Sequence, residues 1–195
     1  MGWDTERTRA RLLEAAIDEF SMRGFSGASI ERIATAAGIN RERVYAYFGS
    51  KRGLFEAALT DRLVFLIERV PVTGSGAAAA GAFAAAYFRV CERDPRLARL
   101  VQWEGLELTE PVDPTGRRAR SRRKAAELAA ACGRPGGEEA DDLLWTIVAL
   151  VNASFASMNL AKVITDPNID ARRASITRTA EVVAASSPVE PRHTN

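Results

Sequence analysis

Gly38 sits in the middle of residues 29–55, and this stretch limits what the chain can become more than any other. Ser29 precedes a short apolar stripe, Ile30, Ile33, Ala34 and Ala37, at helical spacing. Its hydroxyl suits the cap of that helix, because it can accept from the free N–H groups of the first turn. Gly38 then marks a sharp turn, where a positive φ costs glycine least. Ile39 is expected to plug the turn into the core. Asn40 is a second cap, and Val44 and Phe48, four residues apart, face inward. That leaves Arg41, Glu42, Arg43, Tyr45 and Ala46 on an outer face, with Gly49-Ser50 ending the element. Helix, glycine-containing turn, helix is the helix-turn-helix pattern, and a second helix of this kind fits the DNA major groove.

The stretch resembles the DNA-binding domain of TetR-family transcriptional repressors. The resemblance is carried by Ser29, Ile33-Ala34, Ala37-Gly38-Ile39, Val44-Tyr45-Ala46-Tyr47-Phe48 and Ser50-Lys51, followed by Leu54-Phe55. It implies an all-α chain with a three-helix helix-turn-helix domain at 1–53 and a helical ligand-binding and dimerisation domain at 54–187. A frayed tail, 188–195, ends it. It also implies roles. Ser29, Tyr47 and Lys51 are expected to hold phosphates; Arg41, Glu42, Arg43 and Tyr45 are expected to read bases of a double-stranded operator. Two residues depart from the family pattern. Glu42 stands where a small residue is common, and Arg43 where a small or hydroxyl residue is usual. An acid there repels phosphate but can accept from cytosine, so the target sequence is expected to be unusual for the family.

Charge placement agrees with this reading. Residues 1–53 carry nine Lys/Arg against seven Asp/Glu, while 54–195 carry eighteen of each, so the net +2 lies in the segment with the motif. Cys91 and Cys132 are far apart and are read as free thiols in a reducing compartment. No apolar run reaches about 18 residues, and the N-terminus lacks a signal-peptide core, so a bacterial cytoplasmic location with no membrane contact is expected. Met1-Gly2 is not a myristoylation signal, because Glu6 stands where Ser or Thr is needed.

The rest of the chain reads as helices, about nine in all. The first, 5–23, is capped by Asp4 or Thr5, carries Leu13, Ile17 and Phe20 inward, and is closed by Gly24. Arg7, Arg9 and Arg11 near its start suit either phosphate contact or a solvated face. Ser50 caps a helix reaching Val70, with Leu54, Phe55, Ala58, Leu59, Leu66 and Ile67 on its buried side and Pro71 as its stop. Helices over 77–93 and from Asp94-Pro95 follow, then a loop at 109–116. The run Arg117–Lys124 opens the next helix; six cations at a helix N-terminus oppose its dipole, so local stability does not explain them. Two readings stand: a second contact with DNA or with an acidic partner, or a solvated face paired with acids elsewhere. One long helix is expected over 138–164 and a last one over 170–185. By the resemblance these two build a four-helix bundle across a two-fold axis in a homodimer, with Ala149, Ala153 and Ala156 allowing close approach.

The same resemblance places a small-molecule pocket among the middle helices, released by an apolar or aromatic effector of unknown identity. Phe83, Tyr87, Trp103, Trp145 and Phe155 suit its walls, with Glu104, Asn152 and Asn159 as polar anchors. Taken singly, each of these aromatics suits the core better than a pocket wall. The alternative is a DNA-binding regulator without an effector, whose C-terminal domain binds a protein partner. Enzymatic chemistry has little to work with. His193 is the sole histidine and lies in the tail, no Cys/His cluster has zinc spacing, and Glu104/Glu107 are more at home facing solvent or a ligand cation. Gly76-x-x-x-x-Gly81 is spaced like a phosphate-binding loop but continues Ala82-Phe83 instead of Lys and Ser/Thr. No cofactor and no metal is expected.

Overall fold

A computed structural model describes residues 2–166 and 168–186. Its described residues form ten helices and no strand: α1 (Gly2–Gly27), α2 (Ile30–Ala37), α3 (Arg41–Phe48), α4 (Lys51–Arg69), α5 (Ala77–Arg93), α6 (Arg96–Glu107), α7 (Pro114–Cys132), α8 (Glu138–Ala156), α9 (Met158–Ile164) and α10 (Ile169–Ala185). Two compact units emerge, one of residues 1–68 and 91–116, the other of 69–90 and 117–195.

In the first unit, α1 packs against α2 and α6. Leu12, Leu13, Ala16, Ile17 and Phe20 of α1 are buried with Ile33, Val44, Leu54, Phe55, Leu97 and Leu100. Phe20 and Phe25 both meet Phe55, with ring centroids 5.1 and 5.6 Å apart in edge-on geometry. The expected closure at Gly24 takes the form of a kink. Helical hydrogen bonding runs on to Gly27, but Gly24 itself has φ 71° and ψ −179°. The expected start is corrected: α1 already runs from Gly2, so Thr5 lies inside it, and the side chain of Asp4 is outside the described ones.

Ser50 does cap α4, its Oγ accepting from Gly53 N at 3.0 Å. Leu54, Phe55, Ala58 and Leu59 are buried as expected; the side chains of Leu66 and Ile67 lie outside those described. At α6, Asp94 accepts from the backbone and side chain of Arg96 at 3.1 and 2.7 Å. Arg96 in turn reaches Glu14 and Asp18 of α1, each at 2.6 Å. Glu104 does not face solvent as expected, and Glu107 is half-buried. Glu104 is buried and accepts from Val112 N at 2.7 Å; Glu107 accepts from Ser26 N at 2.7 Å. Each carboxylate satisfies a backbone donor outside its own helix.

In the second unit, Phe83, Tyr87, Phe88, Leu128, Leu143, Ile147, Val151, Phe155 and Ile176 make the core. α7 starts earlier than the loop expected at 109–116 allows. Pro114 is its first residue, a position where the missing N–H of proline costs nothing, and Asp113 accepts from Gly116 N at 3.0 Å. α7 ends as Gly133 turns to φ 68°, with Arg134 N donating back to Ala129 O at 2.9 Å. The Arg134 guanidinium then closes the C-terminal end of α10, donating to Ala184 O at 2.9 Å and Ser186 O at 2.6 Å.

The single helix expected over 138–164 is instead two, α8 and α9, bent by 83°. Ser157, at φ −111° and ψ 39°, leaves the helical region between them. Asn152, Ser154, Ser157 and Asn159 crowd this bend, and such side chains favour local alternatives to helix. This break supplies the tenth helix. Among the described residues no single helix is long and apolar enough to cross a membrane. The expected break at Pro167 and the tail at 188–195 lie outside the described residues.

Candidate nucleic-acid interface

The helix-turn-helix is built by caps that the local sequence supplies. Ser29 Oγ accepts from Arg32 N at 3.3 Å, and Asn40 Oδ1 accepts from Arg43 N at 3.0 Å. Gly38 adopts φ 65°, ψ 40°, and its N–H returns to the end of α2. A side chain at Gly38 would also meet Arg11, whose guanidinium donates to Ala37 O at that same helix end. Arg11 is therefore a structural cation completing a helix C-terminus. Arg9 lies 5.8 Å from the Phe48 ring centroid, and Arg7 is exposed.

On α3 only Val44 is fully buried; Phe48, expected inside, is half-buried, as is Ile39. Arg41, Glu42, Arg43, Tyr45 and Ala46 are all exposed. Among the described residues Arg43 and Glu42 have no ion-pair partner, so both side chains are at liberty to meet a ligand. Arg41 is held. Its Nη1 meets Glu31 Oε1 at 2.7 Å, its Nη2 donates to Tyr45 OH at 3.3 Å, and its guanidinium lies 5.4 Å from the Tyr45 ring centroid.

The expected phosphate holders flank α3. Ser29 is occupied twice, capping α2 and donating from Oγ to Glu31 Oε2 at 2.8 Å. This hydroxyl, joined by Glu31's own N–H and then by Arg41, holds the Glu31 carboxyl below the ordinary glutamate range. Tyr47 is half-buried with its ring beside Phe48. Lys51 donates to Ser26 O at 3.2 Å and sits 5.1 Å from the Phe25 centroid. An ammonium has three donors, so two remain for a phosphate.

One residue behind this face went unnoticed in the sequence. Glu19 of α1 is buried and gathers the entry to α2: it accepts from Ser29 N at 3.1 Å and from Arg32 Nε at 2.6 Å. Burial alone would raise its pKa, but the hydrogen bonds from Arg32 and Ser29 bring it below the ordinary value. The available signal was an acid on the apolar side of an amphipathic helix, one residue before Phe20 and seven after Leu12.

The residues expected to line an effector pocket belong to both units. Tyr87 donates to Asn152 Oδ1 at 2.6 Å, Phe83 lies 6.4 Å from Tyr87, and Phe155 packs 4.9 Å from Phe88, all within the second unit. Trp103 and Glu104 pack within the first unit, Trp103 Nε1 donating to Ser21 O at 3.3 Å. Asn159 is exposed on α9. Trp145 is 68% exposed, where a fully apolar α8 interior would have enclosed it. With Arg118, Ser121, Arg122, Asp141, Leu144 and Val148 it lines a cleft of about 430 Å³. The basic run is partly paired: Arg122 lies 3.7 Å from Asp141, and Lys124 Nζ is 2.7 Å from Glu127 and 3.2 Å from Val70 O.

A capped, solvent-facing α3 set behind α2 across a glycine turn, followed by further helices, has the form of a helix-turn-helix DNA-binding regulator. Known proteins make the class specific. Residues 12–58 match the family model described as bacterial regulatory proteins, tetR family, and 80–181 match a tetracyclin repressor-like C-terminal domain. The HTH-type transcriptional repressor SCO4008 of Streptomyces coelicolor is 33% identical over 190 residues, 91% of this chain and 95% of that protein. The repressor NicS of Pseudomonas putida is 48% identical over 54 residues, 28% of this chain and 26% of its own. Among solved structures, the transcriptional regulator SCO4942 of Streptomyces coelicolor shares 30% identity at a TM-score of 0.72, covering 90% of this chain and 97% of that one. The FadR regulator of Bacillus subtilis, solved with stearoyl-CoA, shares the fold at a TM-score of 0.63 and 16% identity, covering 91% and 99%. The chain belongs to the tetR family. It is a DNA-binding transcriptional repressor and not an enzyme.

Proposed function

We propose that this repressor binds a palindromic operator as a two-fold homodimer and is released by a small apolar or aromatic effector. Residues 1–53 carry the DNA contact, and 54–187 carry effector and dimer contacts. The observation that supports DNA reading most directly is the exposed face of α3, which offers Arg43 and Glu42 without a close ion pair among the described residues and Arg41 and Tyr45 as a stacked pair. Arg41, Arg43 and Tyr45 read base edges, Glu42 accepts from a cytosine, and Tyr47 and Lys51 hold phosphates; the single Ser29 hydroxyl proton already goes to Glu31.

The dimer forms through 138–164 and 170–185. α8 and α10 already pack on each other, with Arg172 Nε donating to Ser154 Oγ at 3.0 Å. Trp145 and Val182, 68% and 65% exposed, supply apolar surface on these helices for a partner copy. Half-site centres then lie one turn, about 34–36 Å, apart or a multiple of that.

The effector is received in the second unit beside Tyr87, Asn152 and Phe155. Tyr87 and Asn152 are a polar pair in an apolar core, a natural anchor for a ligand that exchanges one of these hydrogen bonds for its own. FadR of the same fold was solved with stearoyl-CoA. Release follows if the ligand prefers a conformation in which α4 spreads the recognition helices. A hundredfold release needs about 2.7 kcal/mol of such preference. Sedimentation with and without operator tests the reading: a dimer that binds one palindrome is expected, and a monomer at micromolar concentration with full operator affinity would reject it.

A further inference from the structure

The Glu31 carboxylate has no part in the reading above, yet it stands against the first residue of the recognition helix. One of its oxygens takes the Ser29 hydroxyl at 2.8 Å and the other takes Arg41 Nη1 at 2.7 Å. The opposite edge of the same guanidinium is held by Tyr45, through the phenol oxygen at 3.3 Å and the ring at 5.4 Å. Arg41 is thus clamped from α2 on one side and from its own helix on the other.

Folding does not explain the clamp. Both partners are more than half exposed, at 54% and 59% for their side chains, and ion pairs so open to water add little stability. A phosphate contact does not explain it either, because an acid beside the cation weakens its attraction for phosphate. Base reading does. A guanidinium has five N–H donors in a rigid fork, and the two held here leave three for a base edge. A free arginine must lose the freedom of a long flexible chain before it can make a bidentate contact, whereas a clamped one has lost it already.

We infer that Glu31 is a positioning residue that fixes the Arg41 guanidinium for base reading and thereby sets the base preference at the position Arg41 meets. This rests on the reading of α3 as the recognition helix. Ser29 acts in the same chain, orienting the carboxylate from behind while it caps α2.

Selection of the full-length protein on a randomised palindrome library, with affinity for non-operator DNA measured in parallel, tests this. Arg41→Ala is expected to flatten the preference at one position in each half-site. Glu31→Gln is expected to reduce discrimination at that same position by about tenfold and to leave the other positions and the non-operator affinity near wild type. Glu31→Asp, which keeps the charge on a shorter arm, is expected to restore part of it. In the double variant Glu31→Gln/Arg41→Ala the losses should not add, since both act through one contact. If Arg41→Ala flattens a position and Glu31→Gln leaves it sharp, the positioning role is overturned while base reading by Arg41 stands. If Glu31→Gln raises affinity for all DNA with unchanged preference, Glu31 merely competes with phosphate for Arg41, and the inference also fails. If Arg41→Ala flattens nothing, base reading by Arg41 is itself wrong and the inference falls with it.

Discussion

The buried Glu19 carboxylate accepts the backbone N–H of Ser29 at 3.1 Å, tying the middle of α1 to the entry of the helix-turn-helix. It also takes the Arg32 guanidinium, so its removal strands a backbone donor and a cation together. Glu19→Ala is expected to cost about 2–3 kcal/mol, read as a lower midpoint in urea unfolding. An unchanged midpoint would show that Glu19 does not hold α1 to the entry of α2.

Acid should expose the same contact. The folded-state pKa of Glu19 lies below its unfolded value, so its contribution is complete above the ordinary glutamate value of about 4.3 and is lost as pH falls through the lower folded one. Asp94, lowered by its hydrogen bond from Arg96, acts with the same sign. Wild type should therefore lose stability below about pH 4.3 more steeply than Glu19→Gln. Parallel pH profiles for the two proteins would contradict this.

Gly24 is the place where α1 cannot accept a side chain. Its φ of 71° with ψ of −179° belongs to a region that is essentially glycine's alone. A Cβ there would stand 2.8 Å from both the Trp103 ring and the Glu107 carboxylate. Gly24→Ala is expected to lose about 2 kcal/mol of stability, measured by denaturant unfolding. A neutral result would mean that the kink relaxes freely.

Lys51 gives a salt-dependence test. With one donor on Ser26 O and two remaining, it is expected to neutralise one phosphate per subunit. Lys51→Ala should weaken binding to all DNA and lower the slope of log affinity against log salt by about one unit per subunit. An unchanged slope would exclude a phosphate contact.

Much of the first unit was legible because its rules are local. Ser29, Asn40 and Ser50 as caps, Gly38 in the turn and Val44 facing inward follow from spacings of a few residues. What stayed hidden joins distant parts of the chain. Glu107 to Ser26, Trp103 to Ser21 and Tyr87 to Asn152 span 81, 82 and 65 residues, and no local pattern foretells them. Trp145 misled for another reason. α8 is apolar on several faces, so periodicity could not say which face is left exposed. The break at Ser157 carries neither proline nor glycine, so the sequence offers no strong helix breaker there.

Sequence reading by the outer face of α3 is tested most directly at Arg43, which is exposed and without an ion pair among the described residues. The measurement is the base-preference profile of the Arg43→Ala protein on a randomised palindrome library, set beside that of wild type. Preference is expected to relax at one position in each half-site, by about 1–3 kcal/mol of discrimination, with the remaining positions kept. A profile identical to wild type at every position would contradict it.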